Sequence, residues 1–173
     1  RGARVAVTDQ KSEQELGNWR EGLEGKNLEI HLGGHHPEVF EKRDLICLSP
    51  GVPLDLPGLK LARRRKTPII GEMGLGAHFL DAPFVAVTGT NGKSTTSTLI
   101  YQMLLQAGQQ AALGGNIGTP LLELLMSGGH YERFVLEVSS YQLETVDRFR
   151  PEVAVLLNVT EDHMDRYASF QDY

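Results

Sequence analysis

The stretch Val85-Ala86-Val87-Thr88-Gly89-Thr90-Asn91-Gly92-Lys93-Ser94-Thr95 decides the fold, because a strand-like run leads directly into a glycine loop and then a helix. Glycines allow successive backbone N–H groups to approach phosphate oxygens, and the amino end of the following helix adds its positive dipole. The Lys93 ammonium can reach the β- and γ-phosphates of a nucleotide, and the Ser94 hydroxyl can bind Mg²⁺. The pattern predicts that ATP is bound by Gly89, Thr90, Asn91, Gly92, Lys93, Ser94 and Thr95.

The spacing of this loop is tighter than the common pattern Gly-x₄-Gly-Lys-Ser/Thr. In that pattern the first glycine would fall at Val87, whereas here Gly89 lies only three residues before Gly92. The alternative interpretation is a chance Gly-Lys-Ser at an ordinary strand-to-helix turn. The strand-like residues before the loop and the helix-like residues after it favour the phosphate loop.

Strand-like and helix-like segments alternate along the whole chain, which predicts an α/β fold with parallel sheets covered on both faces. We expect a domain boundary at Asp81-Ala82-Pro83, which separates residues 1–82 from residues 83–173. In the first part we expect a helix at residues 12–23. In the second part we expect a helix at residues 93–107 and buried strands at residues 134–138 and 153–159. The helix at residues 93–107 should have one apolar face, formed by Leu99, Ile100, Met103 and Leu104.

Two polar residues near strand ends are candidate partners for the phosphate loop. Glu137 lies in an apolar strand, where an uncompensated charge is costly, so a bound cation would explain it. His163 follows the next strand and has acidic neighbours, which is compatible with a metal or substrate contact. The alternatives are a solvated carboxylate on an edge strand for Glu137 and an ordinary solvated loop histidine for His163.

Composition excludes several classes of protein. The 173 residues carry a net charge of −5, whereas nucleic-acid-binding proteins are usually basic. No apolar run approaches the about 20 residues that span a bilayer. The single cysteine, Cys47, cannot form an internal disulfide and is expected to be a buried strand thiol. We therefore expect a cytoplasmic monomer without a nucleic-acid partner or membrane insertion.

Three segments after the loop resemble the Mur ligases of bacterial peptidoglycan synthesis. They are residues 114–118 (Gly-Gly-Asn-Ile-Gly), 136–144 (Leu-Glu-Val-Ser-Ser-Tyr-Gln-Leu-Glu) and 157–167 (Leu-Asn-Val-Thr-Glu-Asp-His-Met-Asp-Arg-Tyr). The shortened loop also resembles the phosphate loop of that family. Within the family, the segments are most similar to the ligases that add D-glutamate to UDP-N-acetylmuramoyl-L-alanine. Residues 1–82 match more loosely, through residues 7–9 and 48–51.

The resemblance implies a reaction and a set of roles. ATP would phosphorylate the carboxylate of UDP-N-acetylmuramoyl-L-alanine, and the amine of D-glutamate would attack the acyl phosphate. Lys93 would neutralise the transferring phosphate. Ser94 and Glu137 would bind a first Mg²⁺, and His163 would bind a second. Asn116 would contact the UDP-sugar. The uridine end of that substrate would be contacted by Asp9, Ser49, Pro50 and Gly51.

The resemblance also implies a Rossmann-like N-terminal domain followed by part of a P-loop-type ATPase domain with a parallel sheet. The first strand of the Rossmann-like domain, the metal-bridging lysine expected after Tyr173 and the C-terminal domain have no counterpart in the sequence. We therefore expect a fragment, with an incomplete Rossmann-like domain, that does not complete catalysis. The alternatives are another Mur-type or folylpolyglutamate-synthase-like ligase, a non-catalytic nucleotide-binding module, and a fragment that binds nothing.

Overall fold

The computed structural model describes residues 2–23, 25–164, 167 and 169–173, and it divides the chain into two compact units. The first unit contains Arg1–Ile46 and Val52–Ile69, and the second contains Cys47–Gly51 and Ile70–Tyr173. Asp165 and Arg166, which belong to the third segment of the family resemblance, lie outside the described residues.

The first unit contains a pair of parallel strands, β1 (Val5–Thr8) and β2 (Leu28–His31), with Val5 opposite Leu28. The helix expected at residues 12–23 is much shorter, because α1 (Glu13–Leu16) ends at Gly17, whose φ is 58°. A 3-10 helix (Pro37–Phe40) packs against α2 (Pro57–Arg64), which begins with proline in its first turn.

Two short strands, β3 (Ile46–Leu48) and β4 (Ile69–Gly71), pair with each other. Cys47 in β3 is exposed, so the expectation of a buried thiol was wrong. Successive side chains of a strand point to opposite faces, and Ile46 and Leu48, on either side of Cys47, are the buried ones. Partial desolvation of the thiol and the nearby Glu72 carboxylate raise the pKa of Cys47, which keeps it protonated.

The second unit is built on a four-stranded parallel sheet in the order β6-β7-β5-β8. Its helices are α3 (Glu72–Ala77), α4 (Lys93–Gln106), α5 (Leu121–Met126) and α6 (Ser140–Leu143). The strands are β5 (Phe84–Thr88), β6 (Ala111–Gly115), β7 (Arg133–Glu137) and β8 (Val153–Leu156). Together the two units confirm the α/β class with parallel strands.

The main cluster of buried side chains in the second unit lies on one face of its sheet, while Val87 and Val135 are buried on the other face. Phe84, Phe134 and Leu136 on the strands pack with Met73 of α3 and Leu121 of α5. β8 lies at the edge of the described sheet and is mostly exposed, which corrects the expectation of a buried strand at residues 153–159.

Helix α4 packs against β5, β6 and β7, but its apolar residues do not form the expected buried face. Leu99 and Met103 are 59% and 61% exposed, and only Ser97 in this helix is buried. Ser97, Ile100 and Leu104 are three and four residues apart, so they lie on the same side of α4, and this side faces the sheet. Ser97 is buried, and Ile100 and Leu104 are half-buried. The apolar residues therefore belong to two sides of the helix.

None of the helices in the described part of the chain has the length and apolar character needed to span a membrane.

Candidate nucleotide and metal site

The loop between β5 and α4 has the geometry of an anion cradle. Gly92 is the N-cap of α4 with φ 88°, and Thr96 N–H bonds to its carbonyl at 3.0 Å as the first hydrogen bond of the helix. The N–H groups of Lys93, Ser94 and Thr95 consequently have no acceptor within the helix, and no side chain of the described residues caps this end. Free amides and the positive end of the dipole favour a phosphate here.

Gly89 allows the loop to pass close to the chain that follows β8. Its φ is 133°, and an added Cβ would lie 2.9 Å from the carbonyl oxygen of Asn158. A side chain at this position would therefore meet backbone atoms that cannot rotate away.

Lys93 lies with its ammonium folded over its own loop. Its Nζ donates to the carbonyl oxygens of Gly89 and Thr90 at 2.6 and 2.8 Å. The ammonium is thus held at the phosphate loop, where it could neutralise a bound phosphate.

Glu137, Ser94 and Asn116 meet at the carboxyl ends of neighbouring strands. The register places Glu137 of β7 opposite Val87 of β5 and Gly115 of β6, so one strand brings it to the phosphate loop and the other to Asn116. Ser94 Oγ donates to Glu137 Oε2 at 2.7 Å, and Asn116 Nδ2 donates to Glu137 Oε1 at 2.8 Å. Carboxylate and hydroxyl oxygens side by side are the hard ligands that Mg²⁺ prefers.

The Glu137 carboxylate is 3% exposed, so it is not a solvated residue on an edge strand. Among the described residues its side-chain hydrogen bonds come from the neutral donors Ser94 and Asn116, and a buried anion is costly without a cation. The residues present therefore fit a divalent cation at this point. Asn116, for which a contact with the UDP-sugar is predicted, is a direct hydrogen-bond partner of Glu137.

His163 is not part of the hydrogen-bonded group formed by Glu137, Ser94 and Asn116 in the described part of the chain. It has φ 51°, its Nε2 is 3.6 Å from Asp162 Oδ2, and its ring centroid is 4.8 Å from that of Tyr141. No hydrogen bond among the described residues joins His163 to Glu137 or Ser94. In the part of the chain that the structure describes, no three His, Cys, Asp or Glu residues are grouped as a metal site.

The residues expected at the uridine end are divided between the two units. Asp9 follows β1 in the first unit, where its Oδ1 accepts from the Lys11 N–H at 2.8 Å. Residues 49–51 follow β3 and belong to the second unit, with Gly51 at φ 91°. Each stands at the carboxyl end of a strand, where ligands of α/β sheets bind.

Sequence reasoning missed the residues that hold the phosphate loop from outside. Asn158 bonds through both polar atoms of its side chain to the backbone of Asn91. Thr90 Oγ1 accepts from Thr160 N–H at 3.0 Å and lies 3.2 Å from Tyr173 Oη. The available signal was an asparagine just beyond the end of β8, which becomes informative only once β8 is known to neighbour β5.

Two models of known protein families match this chain. Residues 87–173 match the model of the Mur ligase middle domain. The chain belongs to the Mur ligase family. Residues 1–71 match the Mur ligase MurD-like N-terminal domain.

Curated relatives of this Mur ligase chain match it along its whole length. It is 51% identical to the UDP-N-acetylmuramoylalanine–D-glutamate ligase of Geotalea daltonii and 50% identical to that of Geotalea uraniireducens, each over 100% of the chain. The chain spans 38% of the length of both relatives.

Solved structures of other Mur ligases share the fold. A ligase from Neisseria meningitides for UDP-N-acetylmuramate and L-alanyl-gamma-D-glutamyl-meso-diaminopimelate has a TM-score of 0.55 at 21% identity, covering 98% of this chain and 57% of its own. The UDP-N-acetylmuramate-alanine ligase from Thermotoga maritima has a TM-score of 0.50 at 23% identity, covering 98% of this chain and 39% of its own. At these identities the similarity supports the fold alone.

Proposed function

We propose that this chain contains the ATP-binding part, and part of the UDP-substrate-binding domain, of a ligase that joins D-glutamate to UDP-N-acetylmuramoyl-L-alanine. Residues 1–82 would bind the UDP-substrate and residues 83–173 the nucleotide. We further propose that the protein acts as a cytoplasmic monomer. The observation that carries the proposal is the hydrogen bond from Ser94 to the buried Glu137, beside the free amides of the phosphate loop. The similarity to D-glutamate ligases supports the choice of amino acid.

The proposed reaction transfers the γ-phosphate of ATP to the carboxylate of the UDP-sugar, with release of ADP. The amine of D-glutamate then attacks the acyl carbon, loses a proton, and displaces inorganic phosphate as the amide forms. The amides of Lys93, Ser94 and Thr95 bind phosphate oxygens, and the Lys93 ammonium neutralises the charge on the group in transfer. The contribution of this chain is therefore positioning and charge neutralisation.

Ser94 and Glu137 are the residues that would hold Mg²⁺, since their oxygens are adjacent and the carboxylate is buried. When bound, Mg²⁺ would neutralise phosphate charge and orient the phosphates. His163 is proposed for a second metal. Asn116 is proposed as a UDP-sugar contact, and Asp9 with residues 49–51 as the uridine contact.

The test compares wild type, Lys93→Ala and Lys60→Ala in the full-length protein. Mg²⁺-ATP binding is measured by calorimetry, and amide formation is measured with D-glutamate, L-alanine and meso-diaminopimelate as acceptors. We expect Lys93→Ala to lose nucleotide binding and ligation, and Lys60→Ala, a change of an exposed lysine on α2, to retain both. Undiminished ligation in Lys93→Ala would refute the site. A preference for another amino acid would indicate a different Mur-type ligase, and nucleotide binding without ligation would indicate a non-catalytic module.

A further inference from the structure

The chain that follows β8 runs beside the phosphate loop. Leu157 N–H donates to the carbonyl of Thr88 at 3.0 Å, and Thr90 N–H donates to the carbonyl of Asn158 at 3.0 Å. Hydrogen bonding between these two segments of the chain thus continues beyond the ends of β5 and β8 and into the phosphate loop.

Asn158 binds both peptide groups that flank Asn91. Its Oδ1 accepts from Asn91 N–H at 2.9 Å, and its Nδ2 donates to the Asn91 carbonyl at 2.9 Å. One side-chain amide therefore supplies both a donor and an acceptor to the same residue. An aspartate lacks the donor and an apolar side chain lacks both groups, so no side chain of the same shape can replace asparagine here.

These two hydrogen bonds fix the orientation of the two peptide groups on either side of Asn91. Peptide groups are planar and trans, so the N–H and C=O of one peptide point in opposite directions. With Asn91 N–H directed at Asn158, the Thr90 carbonyl is directed away from it, and this carbonyl accepts from Lys93 Nζ at 2.8 Å. With the Asn91 carbonyl directed at Asn158, the Gly92 N–H is directed away from Asn158 as well.

We propose that Asn158 is a positioning residue of the phosphate loop, which holds the Thr90 carbonyl toward Lys93 and the Gly92 N–H toward the phosphate. This inference rests on the proposed nucleotide site and assigns to that site a residue from outside the loop. Asn158 does not touch the nucleotide. Its effect passes through the orientation of two peptide groups, so it should alter the affinity for ATP rather than that for the other substrates.

The experiment uses Asn158→Ala and Asn158→Leu in the full-length protein, with Val159→Ala as the matched control. Val159 is the adjacent residue and is exposed, and successive side chains of an extended chain point to opposite sides. The readouts are the Kd for Mg²⁺-ATP by calorimetry, the KM of each substrate, and amide hydrogen exchange of residues 89–95 without nucleotide.

We expect both Asn158 variants to weaken ATP binding by about tenfold, a factor that corresponds to about 1.4 kcal/mol. The KM for ATP should rise while the KM values for the UDP-sugar and D-glutamate stay within about twofold, and loop amides should exchange faster. Val159→Ala should match wild type. The Leu variant has a similarly branched side chain that leaves no cavity, so it separates the loss of the hydrogen bonds from the effect of a cavity.

Unchanged ATP affinity together with unchanged exchange in both variants would overturn the proposal. Tighter ATP binding would also overturn it, since it would mean that Asn158 competes with phosphate for Asn91 N–H. Failure of wild type to bind Mg²⁺-ATP would instead refute the proposed function. In that case the exchange rates of residues 89–95 still decide whether Asn158 orders the loop.

Discussion

Ser94 Oγ and Glu137 Oε2 lie 2.7 Å apart, although the two residues are 43 positions apart in the sequence. Ser94 is in the first turn of α4, and Glu137 is the last residue of β7. A buried carboxylate therefore lies beside a hydroxyl at the amino end of a helix, where the helix dipole favours anions. Phosphoryl transfer requires that both the phosphate and its cation be held, and this arrangement is suited to both.

Replacing Glu137 by glutamine should remove the metal-binding charge with little change of shape. We expect the turnover number of the full-length ligase to fall by roughly 100-fold or more, because a metal that stabilises transferring charge contributes several kcal/mol. Calorimetry should show that Mg²⁺ no longer strengthens ATP binding. Turnover with an unchanged Mg²⁺ dependence would remove Glu137 from the site.

Asn116→Ala separates two roles for this side chain. If its main role is to hold Glu137, the Mg²⁺ concentration for half-maximal activity should rise by roughly tenfold, as for other residues that orient metal ligands. If its main role is to contact the UDP-sugar, the KM for that substrate should rise while the Mg²⁺ dependence stays the same. The bond of 2.8 Å to Glu137 leads us to expect the first result. Glu123→Ala, a change on the neighbouring helix α5, provides a control.

Gly89→Ala should destabilise the loop, because its φ is 133° and the new Cβ would lie 2.9 Å from the Asn158 carbonyl oxygen. We expect a loss of about 2–3 kcal/mol in the free energy of unfolding, together with loss of ATP binding. Gly128→Ala is the matched control, since Gly128 also has positive φ, 75°, but open space around its Cβ. It should cost only about 1 kcal/mol. Equal effects in the two variants, measured by urea unfolding, would show that the contact with Asn158 is unimportant.

Leu121→Ala and Met126→Ala test the packing of α5 against the core. Leu121 is fully buried, whereas Met126 on the same helix is 83% exposed. Truncating the buried leucine should lower the free energy of unfolding by about 3 kcal/mol, and truncating the exposed methionine should change it by less than about 0.5 kcal/mol. Thermal unfolding of the two variants measures the difference, and similar melting temperatures would contradict this description of the core.

Local patterns in the sequence predicted the elements around the site well. A strand, Phe84–Thr88, leads into the loop as expected, and the helix from Lys93 ends at Gln106, one residue short of the expected end. These features depend on nearest neighbours, since apolar strand residues, glycines in the loop and good helix formers act locally. The prediction of a helix at residues 12–23 was wrong in its length, also for a local reason, because Gly17 ends α1.

The sequence by itself therefore determined the α/β class, the phosphate loop and the identity of Lys93, Ser94 and Glu137 as candidates. Only the tertiary structure decided which residues meet there. The strand order β6-β7-β5-β8 brings Asn116 to Glu137 and Asn158 to Asn91. Strand order is set by packing between residues distant in the chain, and local propensity contains no information on it. The same long-range packing left Leu99 and Met103 exposed and placed Asn158, to which the sequence analysis assigned no role, against the phosphate loop.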